Sequence, residues 1–112
     1  SELGRKISAA HYEDSVEVMT SATGFFEEFF NDYDAVITPS AAGQAPKFAD
    51  GTGDPVFCTI WTLAGLPTVN LPLLVAQGGL PIGVQLVGAA QEDDRLLRTA
   101  NWMLNRLQTE AA

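Results

Sequence analysis

Two Gly-Leu-Pro triplets, at residues 65–67 and 79–81, each precede an apolar segment, and together they constrain the fold of this chain more than any other feature. The first triplet, residues 65–67, ends a short helix-like run, because glycine suits the position after a helix and proline cannot continue one. Residues 68–75 then carry an apolar side chain at every second position, which is typical of a strand. Paired glycines in residues 77–79 supply the positive φ angles of a tight turn. Residues 81–88 again carry apolar side chains at alternate positions, so residues 68–88 are predicted to form a β-hairpin.

Three residues within this hairpin carry further predictions. Pro72 has no backbone N–H to donate, so its strand is predicted to lie at a sheet edge or to be interrupted there. The second strand puts alternate side chains on opposite faces, with apolar residues on one face and Gly83 and Gln85 on the other. The absence of a side chain at Gly83 predicts a close backbone approach at this face.

Three helices are predicted outside the hairpin. Residues 9–32 form an amphipathic helix with Ser8 as its N-cap, because a serine hydroxyl accepts an unpaired amide of the first turn. Residues 56–64 form a short helix that follows Pro55, a residue suited to a first turn. Acidic residues 92–94 mark the start of the last helix, where the helix dipole favours negative charge. The apolar face of that helix comprises Leu96, Ala100, Met103, Leu104 and Leu107.

A strand and a loop are predicted between the first two helices. Residues 35–37 are an apolar run closed by Thr38-Pro39, which predicts a short buried strand. Residues 41–55 contain glycine, proline and small polar residues without periodicity, which predicts a long loop. The element order is therefore α-β-α-β-β-α, and residues 1–112 form a single α/β segment.

Four phenylalanines form a wider aromatic surface than one helix face needs. Phe25 and Phe29 flank the stripe of Phe26 and Phe30, because residues four apart lie on the same side of a helix. Two interpretations stay open. The patch Phe25–Phe30 either docks against polypeptide outside this chain or forms a wide stripe that faces the core of the domain.

Charge, cysteine content and hydropathy exclude several classes of function. The net charge is -8 with only six basic residues, which cannot neutralise a track of phosphates, so no nucleic-acid partner is expected. No apolar run is long enough to span a bilayer, and no signal peptide is recognisable, so no membrane partner is expected. The single cysteine excludes an internal disulfide and fits a reducing, cytoplasmic compartment.

The chain lacks a complete constellation for catalysis or metal binding. A serine nucleophile needs a base within reach, but the only histidine, His11, lies one turn from Ser8, which is already assigned as a cap. Cys58 stands at a helix start, yet its apolar neighbours favour a buried or pocket-lining thiol. One histidine and one cysteine cannot build a zinc site, and residues 50–61 do not match a calcium loop. No catalytic residue, metal or cofactor is therefore predicted.

Three blocks, in this order and spacing, resemble the C-terminal part of the amidase signature family, serine hydrolases that cleave carboxamide bonds. The blocks are Asp34-Ala-Val-Ile-Thr-Pro-Ser40, the segment from Gly53 to Pro67, and Gly79-Leu-Pro-Ile-Gly-Val-Gln-Leu-Val-Gly88 with the Asp94 and Leu96-Leu97 that follow it. The resemblance covers most of the chain and is clearest from about residue 31. It implies a C-terminal piece of the mixed-sheet amidase signature fold.

The resemblance also implies that the catalytic groups lie elsewhere. In the family a serine attacks the amide carbonyl, while a lysine acts through a bridging serine held on a cis peptide. Those serines belong to a Gly-Gly-Ser-Ser-type loop, but the Gly-Gly here precedes Leu80, and neither Lys6 nor Lys47 matches the family lysine. The family builds part of its acyl pocket after the Thr-Pro strand and from the next helix. The implied pocket residues are Pro39, Ser40, Cys58, Trp61 and Thr62, with plain packing as the alternative for Cys58 and Trp61.

Two hypotheses of different classes follow. In the first, the chain is the C-terminal segment of an amidase, supplies strands, covering helices and a pocket wall for a small amide substrate, and is inactive alone. Its partner is then the rest of the amidase chain or a second subunit. Residues 58–62 depart from the Asn-Leu-Ala-Gly pattern of amidotransferase subunits and favour a general amidase of small or aryl amides. In the second, the chain is a stand-alone non-catalytic interaction module or a degenerate amidase relative.

Overall fold

The computed structural model describes residues 2–111, in which a three-stranded sheet is combined with helices. In chain order the elements are α1 (Glu2–Arg5), α2 (Ala9–Asp32), β1 (Val36–Pro39), α3 (Thr59–Ala64), β2 (Thr68–Val75), β3 (Pro81–Val87) and α4 (Asp93–Ala111). A 3-10 turn, Phe48–Asp50, interrupts the segment between β1 and α3. From α2 onward the order is the predicted α-β-α-β-β-α, while α1 was not predicted.

The sheet is antiparallel, and β3 lies in its centre between β1 and β2. The predicted hairpin of β2 and β3 is confirmed, with Gly79 at a φ of 86° in its turn. The prediction for Pro72 is also confirmed. Within the described residues β2 is an edge strand, and its register with β3 shifts between Leu71 and Leu74.

One face of the sheet packs against α4. Leu71 of β2 and Leu86 of β3 are buried against Leu96 and Ala100 of the helix. Partly buried side chains complete this cluster: Ala35, Val69, Leu73, Met103 and Leu104. Burial of this cluster holds α4 to the sheet, because a leucine or valine side chain stabilises a fold by about 1.5–3 kcal/mol when it is fully buried. Leu107, predicted on the same face, is 39% exposed.

The second cluster joins α2 to α3. Phe26 and Phe30 are buried together with Ala64, and Trp61 packs against them. The aromatic patch is therefore divided, because two of its rings lie in the core of this chain while Phe25 is 62% exposed. The interpretation as a core-facing stripe therefore holds for Phe26 and Phe30, and docking stays a prediction for the outer rings.

Two further predictions need correction. The strand predicted as buried is β1, but its side chains are exposed at every second position, and Ile37 is 61% exposed. Ile37 pairs with Leu86 and lines a groove beside α4 that the helix does not cover. The helix predicted at 56–64 begins at Thr59, because the preceding residues form a turn closed by a hydrogen bond from the Cys58 amide to Pro55. The Ser8 cap is confirmed, since its hydroxyl accepts from the amide of His11 at 3.2 Å.

Candidate functional site

The site is centred on Ser40, which directly follows β1. The sheet extends one hydrogen bond further here, because the Ser40 amide donates to the carbonyl of Gly83 at 3.1 Å. The Ser40 hydroxyl donates to the Asn70 side-chain oxygen at 2.5 Å. The end of β1 is thereby held against both strands of the hairpin, and two polar side chains meet on one face of the sheet.

Gly83 makes this meeting sterically feasible. A Cβ at position 83 would collide with the Asn70 side-chain amide and the Ser40 hydroxyl. The glycine predicts a close backbone approach, but the groups that lie against it are the side chains of Asn70 and Ser40.

Gln85 lies two residues further along β3 on the same face and is only 4% exposed. Its Nε2 donates to the carbonyl of Pro39 at 3.1 Å and to that of Phe57 at 2.6 Å. One side chain thus joins the end of β1 to the turn that precedes α3. Because an unpaired buried amide would be costly, both bonds also account for the burial of this polar residue.

The start of α3 forms the other side of the site. Pro55 accepts backbone hydrogen bonds from Cys58 and Thr59, and the Asp54 carboxylate accepts the amide of Val56 at 3.0 Å. This turn brings the Cys58 thiol to the Ser40 carbonyl, to which it donates at 3.4 Å.

Cys58 and Thr62 lie one turn apart on the exposed side of α3, where the Thr62 hydroxyl donates to the Cys58 carbonyl at 3.2 Å. They line an open groove of about 370 Å³ together with Pro55, Thr59 and Leu63. Cys58 is exposed there as a free thiol, which fits the pocket-lining position and not the buried one. The groove contains hydroxyl, thiol and aliphatic groups, and none of its lining residues is charged.

Trp61 is directed elsewhere. Its ring packs edge-on against Phe26, with the ring centroids 5.6 Å apart. Its indole N–H is buried without a hydrogen-bond partner in residues 2–111. The structure therefore brings together Pro39, Ser40, Cys58 and Thr62, and it places Trp61 in the cluster between α2 and α3. The role of these residues as a substrate pocket stays a prediction.

Sequence reasoning missed Asn70 and the role of Gln85. Both are polar residues within otherwise largely apolar strands. For Gln85, which is buried, an amide side chain inside such a strand indicates a specific hydrogen-bond partner, since burying it unpaired costs about 1–3 kcal/mol, whereas Asn70 is exposed and gives no such signal. That signal was available in the sequence, but it does not identify the partner.

Charged groups with shifted pKa values are found on α4. The Arg95 guanidinium has a raised pKa because it donates to the Asp34 carboxylate, with a further contribution from Glu92. The pKa of Asp94 is lowered, chiefly by the hydrogen bond from Arg98. Arg95 also donates to the carbonyls of Phe30 and Tyr33, so it ties α4 to the end of α2.

Among residues 2–111 there is no group of three His, Cys, Asp or Glu side chains placed to hold a metal ion. No helix in the described part of the chain is long and apolar enough to cross a membrane.

Comparison with known proteins identifies the family. The Amidase family model matches residues 2–97. The chain belongs to the amidase family. The glutamyl-tRNA(Gln) amidotransferase subunit of Brevibacillus brevis is 35% identical over 82% of this chain, and the match spans 20% of that protein. The corresponding protein of Symbiobacterium thermophilum is 38% identical over 81% of the chain and is again matched over 20% of its length. The chain thus spans about one fifth of the curated relatives it matches.

Solved structures agree with this assignment. The glutamyl-tRNA(Gln) amidotransferase subunit of Thermotoga maritima superposes with a TM-score of 0.68 at 28% identity, covering 80% of this chain and 21% of that one. A 6-aminohexanoate cyclic dimer hydrolase superposes with a TM-score of 0.73 at 23% identity, and the match covers 86% of this chain and 24% of that one. This similarity concerns the fold alone. The predicted family and fold, a C-terminal piece of the amidase signature fold, are confirmed.

Proposed function

We propose that this chain forms one wall of an amidase that hydrolyses carboxamide C–N bonds, and that the catalytic serine pair and lysine lie in polypeptide outside these residues. The observation that carries the proposal is the hydrogen-bonded cluster that brings Ser40 and Cys58 together beside an open groove. Membership of the amidase family supports the reaction class.

The groove favours an uncharged substrate group. Its lining residues offer aliphatic carbon from Pro55 and Leu63 and short polar groups from Cys58 and Thr62. Transfer of an acyl chain or an aryl ring from water to such a surface is favourable, whereas a charged group would lose its hydration and find no partner there. We therefore propose that the wall holds the uncharged acyl side of a small aliphatic or aryl carboxamide.

In this reaction the chain would act by binding and orientation. A serine supplied by the rest of the enzyme attacks the amide carbon, the amine leaves, and water releases the acid. Because the amide carbon must lie within reach of that serine, a wall that fixes the acyl group contributes to the rate through proximity and orientation. The 112-residue chain is proposed to be inactive on its own.

The proposed partner is the rest of the amidase chain or a second subunit, docked on the outer part of the Phe25–Phe30 patch. Phe25 and Phe29 of α2 form a continuous row with Tyr33, the residue that caps the helix, with ring centroids 6.2 Å and 4.7 Å apart. Phe25 and Tyr33 are 62% and 58% exposed, so this row offers apolar surface to a partner. A cytoplasmic location, in which the exposed Cys58 thiol stays reduced, belongs to the same proposal.

Substitution of Thr62 by leucine tests the proposal in the protein expressed from the whole reading frame that contains this chain. The larger side chain narrows the groove, so we expect KM for benzamide and for short aliphatic amides to rise while the folding stability is unchanged. Thr109→Leu, an exposed change on α4, is the matched control and is expected to leave KM unaltered.

Two results would contradict the proposal. One is an unsubstituted whole protein that hydrolyses none of these carboxamides, which would favour a degenerate relative or a non-catalytic module. The other is unchanged kinetics in Thr62→Leu, which would remove this groove from the substrate pocket.

A further inference from the structure

The two elements that form the site are joined by one buried side chain. The Pro39–Ser40 segment belongs to the end of β1, and the Phe57–Cys58 segment precedes α3. Gln85 is the residue that donates to both, with its Nε2 3.1 Å from the Pro39 carbonyl and 2.6 Å from the Phe57 carbonyl. The direct bond between the two segments, from the Cys58 thiol to the Ser40 carbonyl, is a weaker sulfur contact of 3.4 Å.

We propose that Gln85 is a positioning residue of the amidase pocket, which fixes the spacing between the Ser40 side and the Cys58 side of the candidate site. This inference rests on the proposed function for its catalytic consequence. Its geometric content is independent of that function, because both hydrogen bonds belong to the chain itself.

The chemistry of the amide group suits this task. A glutamine amide carries two N–H donors on one nitrogen, so a single planar group can hold two carbonyls at once. A carboxylate has no donor, and a methionine of similar length has none either. Gln85 is only 4% exposed, and a variant without this amide would remove a donor from both carbonyls at once, although the Pro39 carbonyl keeps the Thr38 hydroxyl at 3.2 Å.

The position of Gln85 on β3 makes the spacing rigid. Its neighbour Leu86 is directed to the opposite face, where it is buried against α4, and β3 is paired on both sides. Gly83, two residues earlier on the Gln85 face, leaves room for the Ser40 and Asn70 side chains. The central strand thus acts as the reference to which the β1 end and the α3 turn are both attached.

The test uses the protein expressed from the whole reading frame, with Gln85→Met and Gln85→Glu as variants. Leu86→Val is the control for lost stability on the same strand, and Gln108→Met is the control for the chemical change at an exposed site on α4. Two readouts are measured. The first is the rate of Cys58 alkylation by iodoacetamide, resolved by peptide mass spectrometry, and the second is kcat and KM for benzamide over a range of pH.

We expect Gln85→Met to alkylate several-fold faster at Cys58, because the thiol loses its aligned acceptor at Ser40. We also expect kcat/KM to fall about tenfold, mainly through KM, since lost hydrogen bonds of ordinary strength change an equilibrium by that order. In Gln85→Glu, kcat/KM should approach the value of the unsubstituted protein at the same pH as the pH falls. The reason is that a protonated carboxyl regains one donor, and burial raises the pKa of this carboxyl. Both controls should match the unsubstituted protein in alkylation rate and KM while folded.

Unchanged Cys58 alkylation and KM in folded Gln85→Met would overturn the inference, as would a pH-independent defect in Gln85→Glu. If Gln85→Met does not fold, the pH dependence of kcat/KM in Gln85→Glu decides whether Gln85 is a positioning residue. A whole protein without carboxamide turnover would overturn the proposed function alone, and the alkylation rates would still decide whether Gln85 sets the spacing.

Discussion

Gly83 shows, at the scale of single residues, how a missing side chain shapes the site. Alanine there would place its Cβ against the Asn70 amide and the Ser40 hydroxyl, and overpacking of this kind costs about 1–3 kcal/mol. We expect Gly83→Ala to lower the free energy of unfolding, measured by denaturant titration, by that amount. Gly24→Ala is the matched control, because nothing lies within 4 Å of its Cβ position and alanine favours the helix interior. A stability loss as large in the control would contradict this account.

The ion pair of Asp94 and Arg98 gives the chain a small dependence of stability on pH. The pKa of Asp94 is lowered in the fold, so the stabilisation is present above its ordinary value of 3.8 and is lost as pH falls through the lower folded value. Both side chains are more than two-thirds exposed, so the effect is small and screened by salt. We expect Asp94→Asn to lower the melting temperature slightly at neutral pH and not at pH values below the folded pKa. An equal difference at both pH values would contradict the assignment.

At the scale of elements, Arg95 is the main polar connection between α4 and the rest of the chain. It donates to the carbonyls of Phe30 and Tyr33 and to the Asp34 carboxylate, and its side chain is 28% exposed. Hydrogen bonds to a charged group contribute about 1.5–3 kcal/mol each when shielded and less when hydrated. We expect Arg95→Met to lower the free energy of unfolding in denaturant titration clearly more than a change at an exposed arginine of the same helix does. Arg106→Met, an exposed change on the same helix, should stay within about 0.5 kcal/mol, and a similar loss there would contradict the specific role of Arg95.

The elements with the clearest sequence periodicity were the ones that could be predicted. The hairpin, the long α2 and the face of α4 each repeat apolar residues at the spacing that their structure requires. Glycine marks the hairpin turn, Ser8 marks the start of α2, and acidic residues mark the start of α4. The burial of β1 could not be predicted, because an apolar run does not say whether anything in the same chain covers it. Ile37 has the composition of a buried strand, yet the helix that packs on the sheet leaves it in an open groove.

The site was predictable only in part, for a geometric reason. Ser40, Cys58 and Thr62 were selected through the family resemblance, which implies a pocket built after the Thr-Pro strand and from the next helix. Trp61 shares the helix but is directed towards Phe26, and a difference of one residue in helix phase decides between the two faces. Gln85 contacts Pro39, 46 residues earlier in the sequence, and Phe57, 28 residues earlier. Sequence spacing alone cannot reveal such pairs.

At the scale of the whole molecule, the described residues form a thin layer. The principal extents are 56 × 42 × 16 Å and the radius of gyration is 17.2 Å, against about 13 Å for a compact domain of this length. One helix covers one sheet face, and the groove between β1 and α4, with Ile37, Leu86 and Met103 in its lining, stays open. This shape suits a chain that is covered by further polypeptide, as the proposed function requires.

The two halves of the aromatic patch should respond differently to the same substitution. Phe26→Asp would bury a charge at a position that is 7% exposed, and we expect it to unfold the chain, since loss of a buried phenylalanine alone costs about 3–5 kcal/mol. Phe25→Asp, at 62% exposure, should leave the fold intact and weaken docking of the proposed partner. Circular dichroism and binding of a hydrophobic dye distinguish the two. Unfolding of both variants would contradict the division of the patch into a core half and a docking half.

The central claim is that this chain supplies a wall of an amidase and not its catalytic groups. The most direct measurement compares benzamide hydrolysis by the purified 112-residue chain with hydrolysis by the protein from the whole reading frame. The account predicts no turnover by the chain and clear turnover by the whole protein. Turnover that stays with the 12.0 kDa chain through repeated purification from a host without amidase activity would contradict it.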